Sequence, residues 1–284
     1  MKILISLLLF TITHLFAADI TLVPYLVKSS YDGVSKDSSM IGGVYSKYKT
    51  ADYTVELSYE NMKLDYNSTS TLKTIKQDDF TVAYSQLLSS TKKIKGTVHY
   101  ILSNNTQSDK AKVYYMDFQH FKKNRFNVGL EIAYSRYDTS AIADDIRQAR
   151  LYYGSSFGDY KSTMGKFIAT IGVTLISPKY TDSNSSLESS YSSYDLSLTQ
   201  YKGKFINKLS WWAGDQLYAV KDSAFTVYNL NELHDTGLSL STRYSLNSNS
   251  GVSLSYLRDS FLDLDVNKKD TMERIMLSFD YTIR

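Results

Sequence analysis

Apolar and polar residues alternate with a period of two along most of the chain, and this alternation limits the possible folds more than any other feature. From position 126 to 135 the odd-numbered residues are polar or small, while the even-numbered ones are Phe126, Val128, Leu130, Ile132 and Tyr134. Neighbouring side chains of a β-strand point to opposite faces, so each such stretch has one apolar and one polar face. The pattern recurs at 53–60, 94–102, 238–246 and 277–283. It predicts an all-β chain of two-faced strands.

The connections between the predicted strands alternate in length. Short connections are expected at 50–51, 89–93, 121–124, 158–165, 202–204 and 247–251, and longer polar ones at 30–38, 67–75, 103–109, 138–145, 179–190, 215–228 and 263–271. Counting strands between them gives about fourteen. Twelve strands remain possible if the region 205–233 is misassigned, and sixteen if residues 215–228 form a further transmembrane hairpin. An even number places both termini at the end with the short turns, as in a closed antiparallel up-and-down barrel.

The composition fits a barrel whose outer face meets lipid. The 284 residues include 25 Tyr and no Cys, so aromatic rings are plentiful at strand ends and no disulfide framework is predicted. A formal net charge of +3 is too weak to indicate nucleic acid as a partner. Fourteen strands about 4.8 Å apart and tilted by about 40° would give a backbone radius of roughly 14 Å.

The first eighteen residues have the features of a secretory signal peptide. Met1 and Lys2 form a short basic start, an apolar run follows from position 3 to 10, and the small residues Ala17 and Ala18 offer a cleavage site. We therefore expect a signal peptide at 1–18 and a single transmembrane barrel domain at 19–284.

The closing strand, residues 277–284, carries the most specific resemblance to a known family. Leu277, Phe279, Tyr281 and Ile283 alternate with polar residues up to the C-terminus at Arg284. With the strand and loop pattern, this strand resembles the porin-like family of bacterial outer-membrane β-barrels, although that family usually ends on an aromatic residue. The resemblance implies a Gram-negative outer membrane, periplasmic termini, and assembly machinery that recognises the last strand. It also implies a passive channel for ions or small solutes, surrounded by outer-membrane lipid.

The polar faces supply the candidate pore-lining residues. They are Glu56, Glu60, Lys95, His99, Glu131, Arg150, Asp195, Lys208, Arg243 and Asp280. Opposed charges of this kind can set up a transverse field that orients solutes. Equally, they can pair between neighbouring strands and stiffen the wall. Because both signs occur in similar number, we expect weak ion preference.

Two other classes of function remain open at this stage. A structural or surface-interaction barrel would present its outer loops, which are rich in Ser, Asn, Asp and Thr. A lipid-modifying enzyme would need a nucleophile, but serine is so abundant that no single serine stands out beside His99, His120 or His234. We therefore predict no catalytic residues and no cofactor.

A metal site is not predicted. Asp263, Asp265 and Asn267 have the spacing of a calcium loop, but Lys268 and Arg274 occupy positions where glycine and a carboxylate are needed.

Three local features are harder to assign. Pro24 cannot donate a ladder hydrogen bond, so we expect a bulge there or a first strand that starts late. Residues 141–150 could form a helical turn or two. The apolar loop at 215–228 could fold into the barrel as a constriction, or rise above the membrane as a hairpin.

Overall fold

The computed structural model describes residues 18–33, 35–67, 73–137, 143–180 and 187–284. The predicted signal peptide lies outside the described residues except for Ala18. Among the described residues, no helix has the length and apolar character needed to cross a membrane.

Nearly all of the described chain is β-structure. Within the described residues the wall strands are β1 (Asp19–Tyr31), β2 (Lys36–Lys49), β3 (Tyr53–Tyr66), β4 (Ile75–Ser89), β5 (Lys92–Ser103), β6 (Lys112–Lys122), β7 (Phe126–Arg136), β8 (Ala143–Gly158), β9 (Lys166–Tyr180), β10 (Tyr191–Lys202), β11 (Phe205–Leu217), β14 (Glu232–Ser245), β15 (Ser250–Asp263) and β16 (Lys268–Ile283). Two short strands, β12 (Val220–Lys221) and β13 (Thr226–Val227), form a separate hairpin between β11 and β14.

The wall strands form one closed antiparallel barrel in which each strand pairs with its neighbours in the chain. The first and last strands close the ring, with Ile20 opposite Ile283 and Tyr31 opposite Met272. Closure pairs every ladder, so the C-terminal strand is held to its end and no edge is left. The prediction of a fourteen-stranded up-and-down barrel is confirmed, and the twelve- and sixteen-strand alternatives are wrong.

The two faces of the wall differ as the alternation predicts. Large apolar side chains are exposed on the outside of every wall strand, among them Leu26, Val82, Leu151, Leu196 and Leu277. Aromatic rings pair on the same surface, for example Tyr59 with Phe80 and Tyr114 with Tyr134. An apolar outer belt with aromatic pairs suits a hydrocarbon surround.

The two ends of the barrel also differ. One end carries the short turns, the start of β1 at Asp19 and the end of β16 at Ile283, while the other carries the longer connections. We call the corresponding parts of the interior the short-turn half and the long-loop half. Four of the five register irregularities lie towards the long loops, between Lys36/Ser38, Ala143/Asp145, Ala213/Gln216 and His234/Thr236.

Two local expectations are wrong. Pro24 neither bulges nor delays the strand: β1 begins at Asp19, Pro24 pairs with Val44, and the ladder to β16 resumes in unchanged register at Tyr25. The missing N–H interrupts the ladder without shifting it. Residues 143–150 belong to β8, because pairing on both sides holds them extended, while 141–142 lie outside the described residues.

Candidate functional site

Nine of the ten candidate residues make side-chain contacts with one another or with neighbouring polar groups. All ten occupy strand positions that alternate with the exposed apolar belt. Lys208 is the exception, since its ammonium has no ion pair within the described residues and remains exposed. His99 differs in another way, because it is only 3% exposed and its Nδ1 lies 2.8 Å from Thr81 Oγ1.

Arg150 gathers three of the candidate residues into one cluster. Its Nε and Nη2 donate to the two carboxylate oxygens of Asp195 at 2.8 and 2.7 Å, and its Nη1 donates to Glu131 at 2.7 Å. The guanidinium carbon also lies 5.0 Å from the centre of the Tyr152 ring. The two parallel bonds to Asp195 form a bidentate pair, and the third bond uses the remaining nitrogen of the guanidinium. Both carboxylates are therefore committed to one cation.

The remaining candidates form smaller pairs along the wall. The Lys95 ammonium lies 2.7 Å from Glu56, and Arg243 makes two bonds to Asp280 at 2.8 and 2.6 Å. Glu60 accepts a hydrogen bond of 2.5 Å from the Tyr25 hydroxyl. Each of these contacts crosses one intervening strand, joining β5 to β3, β14 to β16 and β1 to β3. They resemble the wall-stiffening arrangement considered from the sequence, except that they link strands two apart and not immediate neighbours.

Residues 218–231, which join β11 to β14, fold into the barrel. We call them the inserted segment. Its hairpin pairs Val220 with Val227, and at its tip Asp222, Ser223 and Ala224 all have positive φ, at 50, 60 and 65°. Three consecutive non-glycine residues in this region are strained, so the contacts around the tip must hold them there. Of the two paths left open by the sequence, the inward one is correct.

Contacts to opposite walls hold the inserted segment in place. Gln148 on β8 clamps the backbone of Val220, donating to its carbonyl at 2.7 Å and accepting from its N–H at 2.9 Å. Phe225 packs edge-on against Tyr45 on β2, with ring centres 5.6 Å apart. Asn229 donates to Gln77 on β4 at 2.9 Å. The segment therefore crosses the interior instead of following one wall.

An apolar cluster fills one side of the long-loop half. Its buried members come from the inserted segment and from β5 to β11 with their connections: Ile101, Ala111, Tyr137, Ala143, Ile146, Ile176, Tyr191, Leu217, Tyr218, Ala219 and Tyr228. The members on the wall strands, such as Ile146 and Ile176, lie on the face that points into the barrel. The inserted segment supplies the partner surface that makes burial favourable here.

A buried chain of charges fills the other side. The Lys36 ammonium lies 2.9 Å from Glu232 and 2.8 Å from Asp263. His234 lies between two carboxylates, with Nε2 3.1 Å from Glu232 and Nδ1 2.9 Å from Asp259. No serine hydroxyl among the described residues hydrogen-bonds to this histidine, which is 1% exposed. The sequence shows no periodic signal for this network, because its members lie near the long-loop ends of three different strands, β2, β14 and β15.

Tyr228 joins the charge chain to the inserted segment. Its hydroxyl donates to Asp259 at 3.0 Å, and its ring stacks on His234 with centres 3.9 Å apart. Burial raises the pKa of the Tyr228 phenol well above its usual value, so the hydroxyl stays a neutral donor. The segment is thus fixed at both strands of its hairpin.

Lys221 sits in an aromatic slot beside this anchor. Its ammonium lies 3.7 Å from the centre of the Trp212 ring and 4.7 Å from that of Tyr228, and it contacts the Tyr228 hydroxyl at 3.3 Å. Burial lowers the pKa of Lys221 to about 8, because the aromatic rings stabilise the ammonium less well than water does. Nearby carboxylates, chiefly that of Asp259, oppose the shift.

Below the inserted segment lies a cavity of about 560 Å³. It is bounded by β7 to β11, β14 to β16 and the inserted segment, and includes Glu131, Arg150, Asp195 and Lys208 of the candidate residues. Its volume is in the range of small-molecule sites. Within the described part of the chain, no group of three or more His, Cys, Asp or Glu side chains is placed to hold a metal ion.

Comparisons with known proteins identify the fold. No protein-family model matches the chain, and no curated protein matches it. Among solved structures, a bacterial polysaccharide outer membrane secretin aligns with a TM-score of 0.57 at 8% identity, covering 93% of this chain and 98% of that chain.

Two channel structures align similarly. The CymD monoaromatic hydrocarbon channel gives a TM-score of 0.52 at 8% identity, covering 94% of this chain and 88% of that one. The Pseudomonas putida toluene transporter TodX gives 0.50 at 9% identity, covering 93% and 88%. The resemblance to porin-like outer-membrane barrels is confirmed at the level of the fold.

Proposed function

We propose that the protein is an outer-membrane barrel that acts as a passive channel for ions or small solutes. The observation that carries the proposal is a closed barrel with an apolar outer belt and a polar cavity of about 560 Å³ inside it. Such a barrel can reside in lipid and still offer solutes a hydrated interior. The structural neighbours named as channels support the same function.

In this proposal the inserted segment is the constriction. Conduction requires it to move or to leave a path beside it, because the long-loop half is filled by the apolar cluster and the charge chain. The candidate pore-lining residues divide accordingly. Glu131, Arg150, Asp195 and Lys208 line the cavity, whereas His99 belongs to the packed half and acts in the wall.

The proposal includes export and assembly. Residues 1–18 direct secretion and are removed, the short-turn end with both termini faces the periplasm, and outer-membrane lipid surrounds the apolar belt. The strand at 277–284 is the element offered to the assembly machinery. We assign no catalytic role, because His234 lies buried under Tyr228 with carboxylates as its partners.

Single-channel recording in a planar bilayer tests the proposal. The full chain, purified from the outer membranes of a host, is compared with a variant in which residues 219–227 are replaced by Gly-Ser-Gly. Native protein should give stable conductance steps, and the variant should give steps several-fold larger, because the crossing segment is removed.

Heat-modifiable migration on a gel provides the folding control for both proteins. If the native barrel and the shortened variant both insert and neither conducts, the channel proposal is wrong. That result favours the alternative in which the barrel is structural or presents its outer loops, consistent with the filled long-loop half.

A further inference from the structure

Basic side chains outnumber acidic ones in the lining of the cavity. Four basic side chains line it, Arg150, Lys208, Lys221 and Arg274. Glu131, Asp195 and Asp222 also line it. Arg150 engages the first two, and Asp222 accepts a hydrogen bond from Thr226 Oγ1 at 3.3 Å. Arg150 therefore takes up two of the three carboxylates, while the other three cations have no ion pair among the described residues.

None of these three cations has a carboxylate within 4.0 Å among the described residues. The Arg274 guanidinium contacts only Ser29 Oγ, at 3.3 Å, and Met272 Sδ, at 3.5 Å. Lys221 lies in its aromatic slot, and Lys208 is exposed. The acidic groups on the facing strands are held elsewhere: Glu60 by Tyr25, Asp79 by Gln77, and Asp117 by Gln119 and Tyr152.

A wall of serines connects two of the cations. In one row across the sheet Lys208 stands opposite Ser241, which stands opposite Ser255. In the adjacent row Ser197, Ser210 and Ser239 pair across neighbouring strands, and the row continues through Leu257 to Arg274. All five serines line the cavity, and none of their hydroxyl groups has a hydrogen-bond partner among the described residues.

The indole of Trp212 adds another donor. Its Nε1 has no hydrogen-bond partner among the described residues although the side chain is only 7% exposed. The unpaired acceptor that lines the same cavity is Gln216 Oε1, whose amide nitrogen is bound to Ser193. A buried donor without a partner costs free energy, so a ligand acceptor at this point would be favoured.

We propose that the cavity binds a small organic oxyanion that carries several hydroxyl groups. The inference rests on the proposed channel function, for which it names the class of solute. Lys208 and Arg274, on strands three steps apart, attract the oxyanion from the two ends of the serine wall. The serine hydroxyls and Trp212 Nε1 bind the hydroxyl oxygens of the solute. Small-molecule sites use a few such polar groups to fix orientation.

Isothermal titration of the full chain in non-ionic detergent tests the inference, with gluconate as the probe. Gluconate should bind at least tenfold more tightly than glucose, which lacks the charge, and than inorganic phosphate, which lacks the hydroxylated body. Glucosamine, a cation of similar size, should show no binding. Equal affinity for gluconate and glucosamine overturns the inference, and equal affinity for gluconate and phosphate overturns its hydroxylated part.

Two variants locate the site. Lys208→Ser and Arg274→Ser should each weaken gluconate binding about tenfold, the effect of one lost charge-assisted contact. Lys47→Ser is the matched control, because Lys47 lies on the same face of β2 as Tyr45 but outside the cavity lining. If Lys47→Ser weakens binding as much as the other two, the effect is one of net charge and the site is wrong.

Recording conductance on the same preparations separates the two proposals. Potassium chloride conductance that gluconate does not block, together with no heat of binding, overturns the solute class and leaves the channel intact. Gluconate binding by a barrel that never conducts supports the site and overturns the channel.

Discussion

The two halves of the barrel interior are built from the same alternating strands, yet one is packed and the other is wet. In the long-loop half the Lys36, Glu232 and Asp263 side chains are 3, 10 and 3% exposed. In the short-turn half the comparable pair, Arg243 and Asp280, is 31 and 16% exposed. The difference comes from the inserted segment, which covers only the first set. The alternation along a strand therefore predicts whether a side chain faces the lumen or the lipid. Whether a lumen-facing side chain is buried or hydrated depends on the segment that crosses the lumen.

Replacing one cationic side chain in each half should give the largest difference in the free energy of unfolding. Lys36→Met leaves two buried carboxylates without their cation and should destabilise the barrel by about 3–5 kcal/mol. Arg243→Met removes a pair that water already screens, and should cost about 1 kcal/mol or less. Urea unfolding in detergent, followed by tryptophan fluorescence, measures both. Equal losses would mean that the long-loop half is as hydrated as the other.

A glycine comparison tests how tightly the packed half holds its aromatic slot. A Cβ on Gly237 would meet Trp212 Cζ2 at 1.9 Å, whereas one on Gly96 would have no atom within 4 Å. Gly237→Ala should therefore displace the ring under Lys221 and cost about 1–3 kcal/mol, by the same unfolding measurement. Gly96→Ala should change stability little. A neutral Gly237→Ala would show that Trp212 has room to move.

Two substitutions in turns should act with opposite sign. Ala224 at the tip of the inserted segment and Gly203 in a short turn both have positive φ, at 65 and 56°. Ala224→Gly should relieve strain and stabilise the protein by about 0.5–1 kcal/mol, and Gly203→Ala should destabilise it by about 1 kcal/mol. If Ala224→Gly is destabilising, its methyl packing outweighs the backbone strain.

The smallest expected effect concerns pH. Because the pKa of Lys221 is about 8, raising the pH from 7 to 9 should remove its charge and lower the anion-to-cation permeability ratio by less than twofold. The groups around it are Asp222 of its own segment, Asp259, Asp195, Arg150 and the neutral Tyr228. Reversal potentials in a salt gradient measure the ratio.

Lys221→Met is the control for this titration, because the methionine side chain carries no charge at either pH. The shift between pH 7 and 9 should be absent in that variant. A shift of equal size in Lys221→Met would assign the titration to another group.

The barrel itself could be predicted from the sequence, since alternation, loop length and an even strand count are local properties that repeat along the chain. The side on which Glu131, Lys208 and Arg243 lie follows from the same period. Which charges pair does not follow from it. Arg150 reaches Glu131 and Asp195 because the four strands β7 to β10 come into register, and register is a property of the closed sheet.

The sequence leaves the path of the inserted segment open between two alternatives for a different reason. Its strands are two residues long and its tip has three positive φ values, so neither period nor turn composition marks it. Its path is defined by hydrogen bonds to distant strands: Gln148 on β8 binds the backbone of Val220, and Tyr228 donates to Asp259 on β15. Isolated long-range contacts of this kind produce no local pattern in the sequence and can be seen only in the structure.

The pairing of β1 with β16 has a consequence for the folding of the barrel. Every other wall pairing joins strands that follow one another in the chain, but Ile20 must find Ile283 at the opposite terminus. The entropic cost of so long a closure grows only slowly with length. A chain shortened by its last strand, however, would present two unpaired edges to lipid. The barrel can therefore close only after β16 has been made, so membrane insertion of the complete ring must follow synthesis of its last strand.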